Sequence, residues 1–141
     1  ILVKILAKNF WEIDVEFFDA NEDYIEGISN NNAGLVIGDR TFNLKDTFLY
    51  QYDLAEEWFK YTNLPFVFAC WVANKPLSEE FKLQFNNALK YGLDNKSTVV
   101  EQNTKNTNID LYRYLCEYIS WDFDLQKQAA LKKFFSLCSK L

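Results

Sequence analysis

The sequence predicts an α/β fold, with mixed sheets flanked by helices and a helical C-terminal part. Two observations support this: helix-like and strand-like patterns alternate over residues 1–37, and a run of eight apolar residues occupies 66–73. Elements in the order helix, strand, helix, strand form α/β units with parallel strands. The chain has 141 residues, which is enough for one domain and too few for two complete ones.

The first elements alternate along the chain. Residues 1–12 repeat apolar side chains with a helical period. Residues 14–19, DVEFFD, alternate apolar and acidic side chains as a half-buried strand does. Residues 21–29 are predicted to form a short helix, and the NNNAG of 30–34 a turn, because Asn and Gly tolerate positive φ. The LVI of 35–37 is then typical of a short buried strand.

A second helix is predicted to begin near Asp53. The carboxylate of Asp53 can cap the amide of Glu56, and Glu56 can reach back in turn. Asn63 suits a left-handed helix end, and Pro65 prevents the helix from continuing. The apolar run 66–73 is too short and too uniformly apolar for a surface helix, so it predicts a strand buried on both faces.

The remaining sequence favours helices. One is predicted to start at Ser78, one to span 109–120 and one to run from about Asp124, while the polar residues 95–108 form a loop or a solvated helix. The side chains predicted to face inward are Phe81, Phe85, Ala88 and Leu89, then Tyr112, Leu115, Cys116 and Ile119, and finally Leu131, Phe134, Phe135, Cys138 and Leu141.

Composition excludes several classes of function. The net charge of −5 argues against nucleic-acid binding, which needs clustered Lys and Arg. No apolar run approaches the ~20 residues of a membrane span. The chain has no His, so a Ser-His-Asp or Cys-His site cannot be assembled from these residues. No metal-ligand cluster and no glycine-rich phosphate loop is visible, so neither a metal nor a phosphate site is predicted.

The cysteines indicate the redox environment. There are three, Cys70, Cys116 and Cys138, and none forms a C-x-x-C spacing. An odd number in apolar surroundings predicts buried free thiols rather than a disulfide framework or a zinc site. Free thiols are typical of a reducing cytoplasm, which is the predicted location.

The candidate site lies in the GLVIGDRTF of residues 34–42. Gly38 would end a strand, and ligands of open α/β sheets bind outside the carboxyl ends of strands. A glycine there lets a ligand approach the backbone, and Arg40 can bind a carboxylate in bidentate fashion. Gly38, Asp39, Arg40 and Thr41 are therefore the predicted binding residues. A plain surface turn with an Asp39–Arg40 ion pair explains the same letters.

Other chemistry-bearing residues have ordinary explanations. Asp53, Glu56 and Glu57 are better explained by helix capping and a solvated helix face than by catalysis. Trp58 and Trp71 can stack on a ligand ring, but tryptophans on apolar faces are usually core. The residues themselves identify no catalytic group.

Two stretches together resemble the chorismate dehydratase family of the futalosine route to menaquinone. The family carries an IGD strand end, a DLG-x-x-W helix and a TGLPFVFAxW segment. They match here at Ile37–Asp39, at Asp53, Leu54 and Trp58, and at Thr62, Leu64–Ala69 and Trp71. Ala55 and Asn63 stand where the family has glycine. The opening and closing helices also resemble the family, so the likeness spans nearly the whole chain.

The resemblance implies a two-lobed fold of the type II periplasmic-binding-protein kind. Family members are about twice as long as this chain, because a single two-lobed unit routinely exceeds 200 residues. The chain is therefore expected to be N-terminally truncated. Residues 1–64 would form most of the second lobe, and 65–141 the return strand and the helices that close the first lobe. Pro65, Phe66, Phe68 and Trp71 would line the cleft or form its hinge.

The resemblance also implies a reaction. The family removes water from chorismate to give 3-[(1-carboxyvinyl)oxy]benzoate, a step that makes the ring aromatic and requires no cofactor. The expected partner is this small-molecule substrate, with no nucleic acid and no membrane, and the sequence does not fix the oligomeric state.

Two other functions stay open at this point, and the predicted buried strands argue against a third, a helical interaction domain without a small ligand. The sister family makes 1,4-dihydroxy-6-naphthoate in the same pathway, and it is expected to use a histidine that this chain does not have. A solute-binding module of the same fold would bind a small molecule without catalysis.

Overall fold

The described part of this chain consists of helices joined by segments without regular secondary structure. A computed structural model describes residues 1–44, 47–103 and 109–141. The helices are α1 (Leu2–Asn9), a 3₁₀-helix (Gly38–Asn43), α2 (Leu54–Thr62), α3 (Glu79–Asp94), α4 (Lys96–Asn103), α5 (Leu111–Arg113), a π-helix (Tyr114–Tyr118) and α6 (Leu125–Cys138).

The predicted α/β fold with mixed sheets is wrong. The described residues contain no strand, and the apolar runs 14–19, 35–37 and 66–73 have no regular secondary structure. Ile37 does have an extended backbone, with φ −131° and ψ 156°. A strand also needs a hydrogen-bonded partner, and every backbone hydrogen bond found outside the helices of the described residues joins positions at most six apart. Apolar patterning therefore did not supply the pairing that makes a sheet.

The chain divides into two compact units. The first contains Ile1–Phe68 and Phe123–Leu141, and the second contains Ala69–Asp122. The apolar run 66–73, predicted as the return strand, has no strand structure and spans the boundary between the units. The predicted assignment of 1–64 and 65–141 to two lobes stays a prediction.

The first unit is held together by α1, α2 and α6. Ile5 of α1, Trp58 of α2 and Leu137 of α6 are buried against one another. The side chains packed around them are Leu2, Tyr61, Phe66, Phe134 and Cys138. The three helices predicted at these places are confirmed. Phe135 and Leu141 were predicted to face inward, but they are 61% and 51% exposed, so that part of the apolar stripe is wrong.

Helix α2 begins and ends as its sequence predicts. Asp53 is the N-cap, and its Oδ1 accepts hydrogen bonds from the amides of Ala55 (2.7 Å) and Glu56 (3.2 Å). Asn63 ends the helix in the left-handed conformation, with φ 54° and ψ 28°. Both boundaries depend on short-range chemistry, which is why they could be predicted from the sequence.

The second unit has helices where they were predicted, but the apolar face of α3 is more exposed than predicted. Ser78 caps α3 by accepting a hydrogen bond from the amide of Phe81 at 3.2 Å. No residue of α3 is buried, and Phe81 is 48% exposed, so the prediction that this face points inward is wrong. The period of a helix shows which face is apolar, but it does not show that another element covers that face.

The polar segment after α3 forms a solvated helix, which was one of the two predicted alternatives. Helix α4 has no buried residue, while residues 104–108 of the predicted loop lie outside the described residues. The helix predicted over 109–120 is shorter, since Asp110 caps α5 at the amide of Arg113 (3.0 Å) and the helix widens into the π-helix Tyr114–Tyr118.

Three smaller outcomes complete the fold. Residues 22–27 form consecutive turns rather than the predicted short helix. Asn30 has φ 53°, which confirms the turn predicted at 30–34. The three thiols are free, but Cys70 is exposed and Cys116 and Cys138 are only half-buried, so the prediction of buried thiols is wrong for Cys70.

Within the described residues, no helix has both the length and the apolar character needed to cross a membrane.

Removing the cap of α2 tests the account of this helix. We expect Asp53→Ala to lower the free energy of unfolding by about 1 kcal/mol, because two helical amides lose their acceptor. Asp53→Asn is the matched control, since Asn caps about as well as Asp and should stay near the parent value. Urea unfolding followed by circular dichroism measures both. Equal destabilisation by Ala and Asn would show that the charge of Asp53, not its acceptor oxygen, stabilises α2.

Candidate functional site

The predicted binding turn is a 3₁₀-helix that Gly38 opens. Gly38 has φ +70°, a conformation that side-chain-bearing residues adopt at a cost. A Cβ added at Gly38 would meet nothing within 4 Å, so the backbone angle, not crowding, accounts for the glycine. The Thr41 hydroxyl donates a 2.8 Å hydrogen bond back to the Gly38 carbonyl and closes the turn.

The two charged residues of this turn face solvent. Asp39 and Arg40 are both exposed. Among the described residues they form no ion pair with each other, although a surface ion pair was the ordinary explanation for these letters. The guanidinium of Arg40 is thus open to an anionic ligand, and its five donors suit a carboxylate.

The predicted cleft residues Pro65, Phe66 and Phe68 lie beside the core of the first unit. The indole Nε1 of Trp58 donates a 3.3 Å hydrogen bond to the carbonyl of Pro65. The Phe66 ring lies edge-on to Trp58, with centroids 5.7 Å apart, and edge-on to Phe68 at 5.3 Å. Phe68 itself is 80% exposed. Trp58 is fully buried, which confirms its assignment to the core.

The fourth predicted cleft residue, Trp71, belongs to the second unit. Its ring contacts Phe85 of α3 edge-on, at a centroid distance of 5.3 Å and an interplanar angle of 88°. Trp71 is 76% exposed, so its assignment to the core is wrong. The turn residues Gly38–Thr41 are close together because they share one helix. That they form one cleft with Pro65, Phe66, Phe68 and Trp71 stays a prediction.

A carboxylate that the sequence assigned to helix capping or a solvated helix face lies buried in α2. Glu57 is the one charged residue buried among the described residues, and its side chain is 8% exposed. Its Oε1 accepts a 2.6 Å hydrogen bond from Nζ of Lys60, and its Oε2 accepts a 2.8 Å bond from the indole Nε1 of Trp11. The Lys60 ammonium first, and the Trp11 indole second, lower the pKa of Glu57 from its ordinary value of 4.5, against an opposing effect of burial.

This arrangement makes Glu57 a structural group rather than a base. A carboxylate that accepts hydrogen bonds from two donors holds its proton weakly, and a lowered pKa makes it a less effective base at neutral pH. The solvated-face interpretation is right for Glu56 and wrong for Glu57. Lys60 is three residues away and within reach of sequence reasoning, but Trp11 is 46 positions away and no local signal joins it to Glu57.

Within the described residues, no three His, Cys, Asp or Glu side chains are grouped as metal ligands would be. The exposed groups at the predicted site residues include the guanidinium of Arg40 and the ring of Phe68.

Comparison with known proteins gives one match. A family model described as menaquinone biosynthesis matches residues 1–140, which is all of the chain except Leu141. No curated protein and no solved structure matches the chain. The biological role is therefore assigned from the family alone.

The buried carboxylate makes a testable prediction about stability and pH. We expect Glu57→Gln to lower the free energy of unfolding at pH 7 by about 1–3 kcal/mol, because the charge-assisted bond from Lys60 is lost. The pKa of Glu57 is lowered in the folded protein, so the stabilisation is present above the ordinary value of 4.5 and is lost as pH falls through the folded value.

Urea unfolding at pH 7 and at about pH 3 measures this effect, since the second pH lies below the usual range of a Glu carboxyl. The difference between parent and Glu57→Gln should shrink at the lower pH. Glu56→Gln is the control, because that exposed neighbour should stay within about 0.5 kcal/mol of the parent. A Glu57→Gln difference that is independent of pH would contradict the account.

Proposed function

Because the chain belongs to the menaquinone biosynthesis family and its role lies in that pathway, we propose that the protein removes water from chorismate to give 3-[(1-carboxyvinyl)oxy]benzoate. The observation that carries the proposal is the family match over residues 1–140. Within it, the stretches that resemble chorismate dehydratases include Ile37–Asp39, and the structure exposes Gly38, Asp39 and the adjacent Arg40 on a turn.

The geometry of the turn supports binding of an anion. Chorismate carries two carboxylates, and Arg40 presents an exposed guanidinium with five donors. A bidentate Arg–carboxylate pair orients its partner as well as holding it. Because the net charge of −5 opposes an anion at long range, such local donors must provide the attraction. Asp39 then orders the loop or orients the substrate rather than binding a carboxylate directly.

The proposed chemistry asks little of the protein's own acids and bases. The two electrons of the C3–H bond form the C3–C4 double bond of the aromatic ring, while the C4–O bond breaks and the hydroxyl leaves with its electron pair. The proton taken from C3 is passed on to this hydroxide, and water is released. The carboxylate of the substrate's enolpyruvyl group can accept the C3 proton. Glu57 is not available for that step, because both of its oxygens are engaged by Lys60 and Trp11.

A cytoplasmic location is part of the proposal. The thiols of Cys70, Cys116 and Cys138 are all unpaired. Thiols stay reduced in the cytoplasm, and the exposed position of Cys70 would favour oxidation elsewhere.

The direct test is product analysis. The protein expressed from its complete coding sequence is mixed with chorismate, and the products are separated by liquid chromatography with mass and ultraviolet detection. We expect a species lighter than chorismate by one water, with a benzoate spectrum. Chorismate that stays unchanged but is bound by folded protein would contradict dehydration and favour a solute-binding module. If the protein converts only the sister family's substrate, to 1,4-dihydroxy-6-naphthoate, the proposed dehydration of chorismate is contradicted and the sister family's reaction is favoured.

Variants of the turn test which groups act. We expect Arg40→Gln to raise KM for chorismate about tenfold, the effect of one charge-assisted hydrogen bond. Lys75→Gln removes an exposed cation outside the turn and should leave KM within about twofold, as surface substitutions usually do. Asp39→Asn should retain measurable kcat, because the proton acceptor belongs to the substrate. Complete loss of activity in folded Asp39→Asn that still binds chorismate would contradict the substrate-base mechanism.

A further inference from the structure

The chain leaves α1 through a strained turn. The amide of Trp11 donates a 2.8 Å hydrogen bond to the Leu6 carbonyl, and the amide of Ile13 donates a 3.0 Å hydrogen bond to the Ala7 carbonyl. Between these two amides, Glu12 has φ 52°, which lies in the left-handed region that favours glycine. A glutamate adopts this conformation at a cost, so other contacts of the structure have to hold the turn in place.

The residues that follow this turn return to α1 and form a strap, which we define as residues 12–18. Nζ of Lys4 in α1 lies 5.0 Å from the centre of the Phe17 ring, near the far end of the strap. The strap has no regular secondary structure, and within the described part of the chain no backbone hydrogen bond involves residues 14–18. A segment with so few backbone contacts opens at a low free-energy cost unless something fixes its ends.

A buried polar contact ties the start of the strap to α2. The indole Nε1 of Trp11 donates a 2.8 Å hydrogen bond to Oε2 of Glu57, whose side chain is 8% exposed. The other carboxylate oxygen accepts a 2.6 Å hydrogen bond from Lys60, which fixes the direction of the carboxylate. The Trp11 ring also contacts the ring of Tyr52, at a centroid distance of 6.0 Å. The strained Glu12 therefore lies next to a residue that is held by a charge-assisted hydrogen bond to another helix.

We propose that the hydrogen bond between Trp11 and Glu57 is a latch, which keeps Glu12 in its left-handed conformation and holds the strap against α1. When the latch opens, Glu12 relaxes and the strap detaches, while the core around Trp58 stays closed. The core can stay closed because its buried side chains come from α1, α2 and α6, and none of them belongs to the strap. The strap is thus a conformational element that opens separately from the rest of the first unit.

Amide hydrogen exchange, followed by NMR at low urea concentrations, tests the latch on the protein expressed from its complete coding sequence. In the parent we expect the exchange rate of the Ile13 amide to be nearly independent of urea, because a local opening exposes little surface. The slowest amides of α6 should exchange faster as urea rises, because they exchange when the core unfolds. Glu57→Gln should speed exchange of the Ile13 amide about tenfold, the effect of one charge-assisted hydrogen bond. Trp11→Phe removes the donor and keeps a ring, so it should have a similar effect, and combining it with Glu57→Gln should add little.

Two further variants separate the latch from the charge of α2 and from the strain of the turn. Glu56→Gln removes an exposed carboxylate of the same helix and should leave exchange of the Ile13 amide within about twofold of the parent. Glu12→Gly tests the strain, because glycine adopts the left-handed conformation readily. It should slow exchange of the Ile13 amide about threefold.

The possible results are distinct. If the Ile13 amide shows the same urea dependence as the slowest amides of α6, the strap opens only when the whole unit unfolds, and the inference is overturned. If exchange of the Ile13 amide is unchanged in folded Glu57→Gln and Trp11→Phe, the opening leaves the hydrogen bond intact, and the latch is overturned. Faster exchange in Glu12→Gly overturns the role of strain at the turn. None of these measurements uses chorismate, so their outcome is separate from that of the proposed function.

Discussion

The burial of Trp58 is the interaction on which the first unit depends. Its ring is fully enclosed by side chains from helices that are far apart in sequence, including Ile5 of α1 and Leu137 of α6. Replacing a buried Trp by a small residue typically costs about 3–5 kcal/mol, a large part of the 5–15 kcal/mol that separates folded from unfolded states. Trp58 also uses its one polar atom, since the indole N–H bonds the Pro65 carbonyl.

The residue before Trp58 makes the second long-range connection. Glu57 joins α2 to Trp11, just beyond α1, and Lys60 neutralises its charge. Burying a carboxylate is costly unless it is paired and hydrogen-bonded, and here each of its oxygens has a donor. A nonpolar contact at Trp58 and a polar one at Glu57 therefore hold the same pair of helices, and the hydrogen bond fixes the direction of the Trp11 indole, which packing alone would leave free.

The features that could be predicted from the sequence are those that depend on interactions between residues close together in the chain. The N-caps Asp53, Ser78 and Asp124 act within three residues, so the starts of α2, α3 and α6 could be predicted from the sequence. The predicted sheet depended on pairing between distant segments, and periodicity carries no information about a partner. The exposed Phe81 and the bond between Glu57 and Trp11 were missed for the same reason, because each depends on what the rest of the chain brings to that surface.

The same distinction applies to the candidate site. The turn at Gly38 is local, and its positive φ and the Thr41 hydrogen bond explain why glycine and threonine stand three residues apart. The surroundings of Phe66 are not local, because its ring contacts that of Phe134, far along the chain in α6. In the proposed reaction the substrate supplies its own proton acceptor, so the protein has to provide orientation. In this proposal the exposed guanidinium of Arg40 orients a carboxylate of the substrate. The proposed function accordingly needs a fixed position of that group more than it needs a perturbed titratable residue.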